Sequence, residues 1–220
     1  IFDGTIAARD PNFEFDFDGK INLRDTFPVM DFKADITRLD LGVLNLVKED
    51  WVLSGQVQQL TLNAHNWSDL TGRAVLRNFQ ILQDREVVHK IDSLILSSEY
   101  RRDGTRYISL YSDIADGYLE GDYDLARSMH RLLNTFGRYC PRFSQKIGLP
   151  KADSLVSTDD YNLRLQVKNT KQLTKLFSVD LDTLRDIYVK ARVEGVQGLV
   201  QVLVEIPELR YGNAAFRDAS

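Results

Sequence analysis

The sequence predicts a mainly β protein: an elongated, curled antiparallel sheet carrying one amphipathic helix and a short second helix. Three observations carry that expectation. Apolar and polar residues alternate with a period of two through most of the chain, the mark of strands whose successive side chains point to opposite faces. The alternating runs are short, fairly evenly spaced and divided by Gly, Asp, Asn and Pro clusters. Only two stretches, near 125–136 and 170–177, instead repeat their apolar residues at helical spacing.

The clearest alternation comes first, with Phe13, Phe15 and Phe17 set against Glu14, Asp16 and Asp18. Ile21 and Leu23 continue it beyond Gly19. The segment from Asp25 to Pro28 breaks it, and Met30, Phe32, Ala34 and Ile36 resume it, giving strand, turn, strand. Apolar residues at 39, 41, 43, 44 and 46 mix both periods and predict a helical turn or a bent edge. Further strands are predicted at 58–64, 72–79, 91–98, 106–111 and 117–123. Asp103 and Gly104 make a hairpin turn, where Gly accepts a positive φ.

Asp124 suits a helix cap, and Leu125, Met129, Leu132, Leu133 and Phe136 then fall on one helical face. Pro141 limits that helix, and Gly148, Pro150, Ser154 and Ser157 suggest a linker or a long crossing. The expected division is therefore 1–150, a β segment ending in the helix, and 151–220, a continuing β segment within one elongated unit. In the second part Tyr161, Leu163, Leu165 and Val167 alternate, a short helix buries Leu173, Leu176 and Phe177, and strands return at 187–194 and 199–206.

Composition narrows the function classes. Of the 220 residues 43% are hydrophobic, enough for a core, which excludes disorder over the whole chain. A net charge of -4 provides no global positive field for a phosphate backbone, so no nucleic-acid partner is expected. The single Cys140 forms neither an internal disulfide nor a cysteine cluster. No apolar run approaches the ~18 residues of a membrane span. The chain opens on Ile1 rather than Met, which predicts an internal fragment.

No enzyme signature emerges, and no cofactor is expected. His65, His89 and His130 lie on separate elements without metal-ligand spacing, Cys140 precedes a proline, and no glycine loop resembles a phosphate cradle. Glu14, Asp16, Asp18, Gly19 and Asp25 mimic the spacing of a calcium loop, but the interleaved phenylalanines favour a strand. Asn66-Trp67-Ser68 fits the glycosylation triplet and serves better as a turn marker. Residues 125–152 hold six basic side chains, Arg127, Arg131, Arg138, Arg142, Lys146 and Lys151, and no acidic one. Such a segment could lie on anionic lipid or an acidic partner, or present a solvated basic face.

Several phrases together resemble the TamB family, proteins with AsmA-like repeats, especially its Bacteroidetes type. They are 17–23 (FDGKINL), 32–46 (FKADITRLDLGVLNL), 67–72 (WSDLTG), 92–96 (DSLIL), 111–123 (YSDIADGYLEGDY) and 163–177 (LRLQVKNTKQLTKLF). They run in the family's order and span most of the chain, though none is a catalytic fingerprint. The resemblance implies a long periplasmic β-taco, a trough with an apolar interior. It also implies an inner-membrane anchor and an outer-membrane barrel partner of the TamA type, both through segments outside this sequence.

The resulting expectation is non-enzymatic lipid transfer between inner and outer membranes in support of outer-membrane biogenesis, with phospholipid acyl chains as the bound partner. The expected lining is Phe13, Phe15, Phe17, Met30, Phe32, Ile36, Leu60, Leu62, Leu163, Leu165, Val167, Val189 and Val193. A closed β-sandwich would use the same period and bury the same residues. Two other functions compete: a scaffold that assists outer-membrane barrel assembly through exposed strand edges, and a sugar-binding module built on exposed tryptophans.

Overall fold

Alternating sequences of this kind form strands because β-branched and aromatic side chains fit a pleated surface with one buried face. The computed structural model describes residues 1–22, 29–48, 50–64, 69–83, 86–123, 159–168, 183–195, 197, 199–211 and 214–219. Thirteen strands appear there: β1 (Phe2–Arg9), β2 (Phe13–Asn22), β3 (Val29–Asp40), β4 (Trp51–Asn63), β5 (Thr71–Gln83), β6 (Glu86–Tyr100) and β7 (Arg106–Ser112), then β8 (Ala115–Asp122), β9 (Asp160–Val167), β10 (Thr183–Arg185), β11 (Ile187–Glu194), β12 (Leu199–Tyr211) and β13 (Ala214–Ala219).

All belong to one open antiparallel sheet, and β1 to β9 are neighbours in strict sequence order. Strand β9 pairs with β11, which pairs with β12. Strand β10 also pairs with β12 and is the same ribbon as β11, interrupted at Asp186, whose φ is 55°. Strand β13 pairs with the far side of β12. Extensive contacts run only between sheet neighbours, so among the described residues no second sheet covers the first. The sandwich alternative is not what forms.

Residues 123–159 separate β8 from β9 in sequence, yet the two strands pair over their whole length, from Ala115↔Val167 to Asp122↔Asp160. The described residues contain no helix. The predicted helices at 125–136 and 170–177, and the boundary near 150, fall outside the described residues. The mixed-period stretch after β3 is a turn of helical type: Leu44 N donates to Asp40 O at 3.1 Å, and the Asp40 carboxylate accepts from Val43 N at 3.1 Å. The predicted hairpin at Asp103 and Gly104 forms with Gly104 at φ 85°, closed by Arg101 N to Thr105 O at 2.8 Å.

Six glycines lie inside strands: Gly4, Gly19, Gly55, Gly72, Gly117 and Gly121. The register puts all six on the same face as Phe15, Phe32 and Leu165. Gly19 shows what this permits, because a Cβ there would sit 2.3 Å from the Asp31 carbonyl oxygen. These positions carry no side chain on that face, and at all but Gly4 the neighbouring backbone approaches where a Cβ would stand. Register shifts within the β2–β3, β3–β4, β4–β5 and β5–β6 pairs add bends of the bulge type.

Candidate functional site: an apolar sheet face

Residues directly opposite in an antiparallel pair share a face, so the register can be followed strand by strand across the sheet. One row reads Gly4, Gly19, Phe32, Leu60, Ala74, Leu96, Leu110, Gly117, Leu165, Val189 and Val204. It crosses eleven strands without a polar side chain. The next reads Phe2, Ile21, Met30, Leu62, Gly72, Ser98, Ile108, Leu119, Leu163, Ala191 and Val202, with Ser98 its one polar member. A third, over β1 to β7, reads Ile6, Phe17, Ala34, Val57, Leu76, Leu94 and Ser112.

All thirteen residues expected to line the trough lie on this face. Phe13 pairs with Leu39, Phe15 with Ile36, Val167 with Ile187, and Tyr161 with Val193, in phase with the rows above. The rings of Phe17 and Phe32 are 4.9 Å apart and those of Phe2 and Phe17 5.7 Å, a cluster over β1 to β3.

The opposite face is more polar, although Val75 and Ile95 pair on it. One residue along from the apolar rows runs Asp3, Lys20, Asp31, Thr61, Arg73, Ser97, Ser109, Tyr118, Arg164, Lys190 and Leu203. Its charges pair across strands, with Lys20 to Asp3 at 3.1 Å, Arg9 to Asp16 at 2.6 Å and Lys168 to Asp116 at 2.6 Å. Exposed pairs like these set register and solubility more than stability. On β7 to β9 this face also carries a stack: Arg101 lies 4.3 Å over Tyr107, whose ring is 5.8 Å from Tyr118, and Arg164 lies 5.7 Å over Tyr118. Burial raises the Tyr107 phenol, helped by Tyr111 beside it.

A groove of about 530 Å³ opens between polar rows of β1 to β4, with Asp16, Asp18 and Asp35 among its walls. Three of the would-be calcium ligands, Glu14, Asp16 and Asp18, thus lie in strand β2, where Asp16 is held by Arg9, while Asp35 accepts from Gln56 at 3.0 Å. Among the described residues no group of His, Cys, Asp or Glu is arranged to hold a metal. His89 pairs with Ile81, and His65 and His130 lie outside the described residues. The Trp51 indole nitrogen is buried without a hydrogen-bond partner, which does not suit an open sugar platform, and Trp67 lies outside the described residues.

A buried charged residue sits among the apolar rows. Arg106 is 2% exposed, and its Nη2 donates to Leu70 O at 2.8 Å and Ser98 Oγ at 3.5 Å. Ser98 Oγ donates to the same Leu70 oxygen at 2.7 Å. The Arg106 guanidinium also lies 5.8 Å from both the Tyr100 and Tyr123 rings. Burial pushes the Tyr123 phenol up to about 12, against a smaller opposing pull from Arg106. Sequence reading did not single out Arg106. Its phase did carry a signal, because it alternates in step with Ile108 and Leu110. Among the described residues no helix is long and apolar enough to cross a membrane. Comparison with protein-family models, with curated proteins and with solved structures gives no match.

Proposed function

We propose that this chain is a non-enzymatic lipid-handling segment that carries phospholipid acyl chains on its apolar face, as part of an envelope protein of the TamB type bridging inner and outer membranes. The observation that carries the reading is the row from Gly4 to Val204: eleven strands, one face, and no polar side chain. Water penalises such a surface by roughly 25 cal/mol per Å², and an aliphatic chain laid on it removes that penalty. Each methylene withdrawn from water contributes about 0.8 kcal/mol. A tail is therefore held firmly in total while no single contact fixes it. The row offers no polar anchor, which favours movement over storage.

The resemblance to the TamB family adds the periplasmic setting, the inner-membrane anchor and the outer-membrane barrel partner, all through parts beyond these residues. The test is organic extraction of the purified chain followed by mass spectrometry, together with loading of a fluorescent phospholipid. Co-purifying or exchangeable lipid is expected. Phe15→Asp combined with Phe32→Asp should abolish loading while strand content persists. Normal loading by that variant removes these residues from the lining, and a chain that neither carries nor takes up lipid overturns the reading.

The scaffold reading keeps one observation in its favour. Among the described residues the sheet grows strand by strand through antiparallel backbone pairing, the mode by which an extended chain would add. A chain free of lipid that binds an extended peptide would favour it.

A further inference from the structure

Exposure along the apolar face is uneven: Val57 on β4 and Ser98 on β6 are buried, but the open large side chains and the buried cluster fall on different strands. Ile6 and Leu96, on β1 and β6, are each 42% exposed. Leu119, Tyr161, Ala191 and Val193, on β8, β9 and β11, are 6–8% exposed. On β12 the face opens again, with Val202 at 53% although it is the register partner of Ala191. The closed stretch also has shorter strands, seven or eight residues over β7 to β9 against thirteen to fifteen over β4 to β6.

The packing explains the closure. Leu119, Tyr123, Tyr161 and Val193 form one buried cluster with Ile108 and Leu163 against it, and the Tyr123 and Tyr161 rings meet edge to face at 5.9 Å. At its border Arg106 and Ser98 both bond Leu70 O, which ties the start of β5 to β6 and β7 on the inner side. An aliphatic tail entering this stretch would have to displace packed rings and lie against a buried cation held by hydrogen bonds. Both changes are costly, because a charge facing hydrocarbon loses solvation without compensation.

We infer that the apolar face is divided into an aliphatic-binding reach on β1 to β6 and a self-packed neck on β7 to β11, with Arg106 fixing the border between them. The inference rests on the lipid reading above. It reassigns Leu163, Val167 and Val193 from lipid lining to internal packing, and it makes opening of the neck a requirement for any tail to pass toward β12.

Cysteine alkylation in the whole chain tests the division. With the native thiol removed as Cys140→Ser, the delipidated variants Leu96→Cys, Leu119→Cys and Ala191→Cys are treated with a water-soluble maleimide, before and after loading from phosphatidylethanolamine and phosphatidylglycerol vesicles. Leu96→Cys should react fast and slow by about tenfold on loading, while Leu119→Cys and Ala191→Cys react slowly in both states, as buried sites do that must await local opening. Ala191→Cys changes little volume, and an unaltered melting temperature secures its fold. If the neck positions react as fast as Leu96→Cys, or gain equal protection from lipid, the division is wrong. If lipid protects no position while the neck stays slow, the packing contrast stands and the lipid reading fails.

Discussion

The Arg106 guanidinium lies 5.8 Å from the Tyr123 ring, on a sheet face that is largely apolar. The pair joins β7 to the residue that follows β8, while Arg106 Nη2 reaches back to Leu70 O at 2.8 Å. Removing the cation leaves a void among rings and takes one donor from a half-buried carbonyl. Arg106→Ala should therefore cost about 2–4 kcal/mol. Arg106→Met keeps the volume and needs no hydrogen bonds, so it should lose less than half as much. Urea denaturation midpoints at constant slope measure both. Equal losses in the two variants would show that charge, not packing, holds the border.

Tyr123 makes the same cluster sensitive to alkali. Its phenol is raised to about 12 in the fold, chiefly by burial, from an ordinary value of 10. Between those values the unfolded chain releases a proton that the folded chain keeps. Stability from this group is complete below pH 10 and is lost as pH rises through 12. Tyr123→Phe should flatten the stability profile of the wild type over that window and leave it unchanged near neutrality. A variant that follows the wild-type slope would assign the alkaline loss to other tyrosines.

Two glycines should respond differently to the same substitution. Gly72 has φ 156°, and a Cβ there would lie 2.1 Å from Thr61 O and 3.1 Å from Leu62 Cα. Gly104 has φ 85° in the hairpin turn with nothing within 4 Å. Gly72→Ala must push two strands apart as well as strain its own backbone, and it should cost about 2–4 kcal/mol. Gly104→Ala bears only the backbone term, about 1–2 kcal/mol. Thermal melting of the two variants gives the ratio, and equal shifts would mean that the sheet relaxes at Gly72.

Much of this sheet was legible because the information is local. The direction of a strand side chain depends only on its position in the alternation, so Phe13 to Phe17 and Leu163 to Val167 show their shared face without knowledge of their partners. The strand at 187–194 has the predicted limits. Strand β1 was missed because Gly4, Ala7 and Ala8 dilute its alternation, and β12 was cut short because Pro207 reads as a terminator. The left-handed Asn78, with φ 51° inside β5, and the neighbouring shifts come from strand pairing, which one sequence does not encode visibly. The neck was illegible for a similar reason. Leu119 and Leu96 look alike in the sequence, and only the neighbours brought by the fold make one buried and the other open.

Leu96 and Ser97 are consecutive in β6 and face opposite sides, which gives a test of sidedness one residue apart. Leu96 sits in the apolar row between Ala74 and Leu110, and Ser97 in the polar row between Arg73 and Ser109. Ser97 Oγ already accepts from Arg73 Nη1 at 3.2 Å, so Ser97→Asp keeps an acceptor there and adds a favourable charge. Leu96→Asp places a carboxylate where the proposed tail lies, and the desolvation of that charge should weaken phospholipid loading by at least about tenfold. Because Leu96 is 42% exposed, the empty protein can hydrate the new carboxylate, and its melting temperature should fall little. Ser97→Asp should load normally. Equal loading by the two variants would place the tail off the Leu96 side of the sheet, and equal loss would point to a general effect of negative charge rather than to a face.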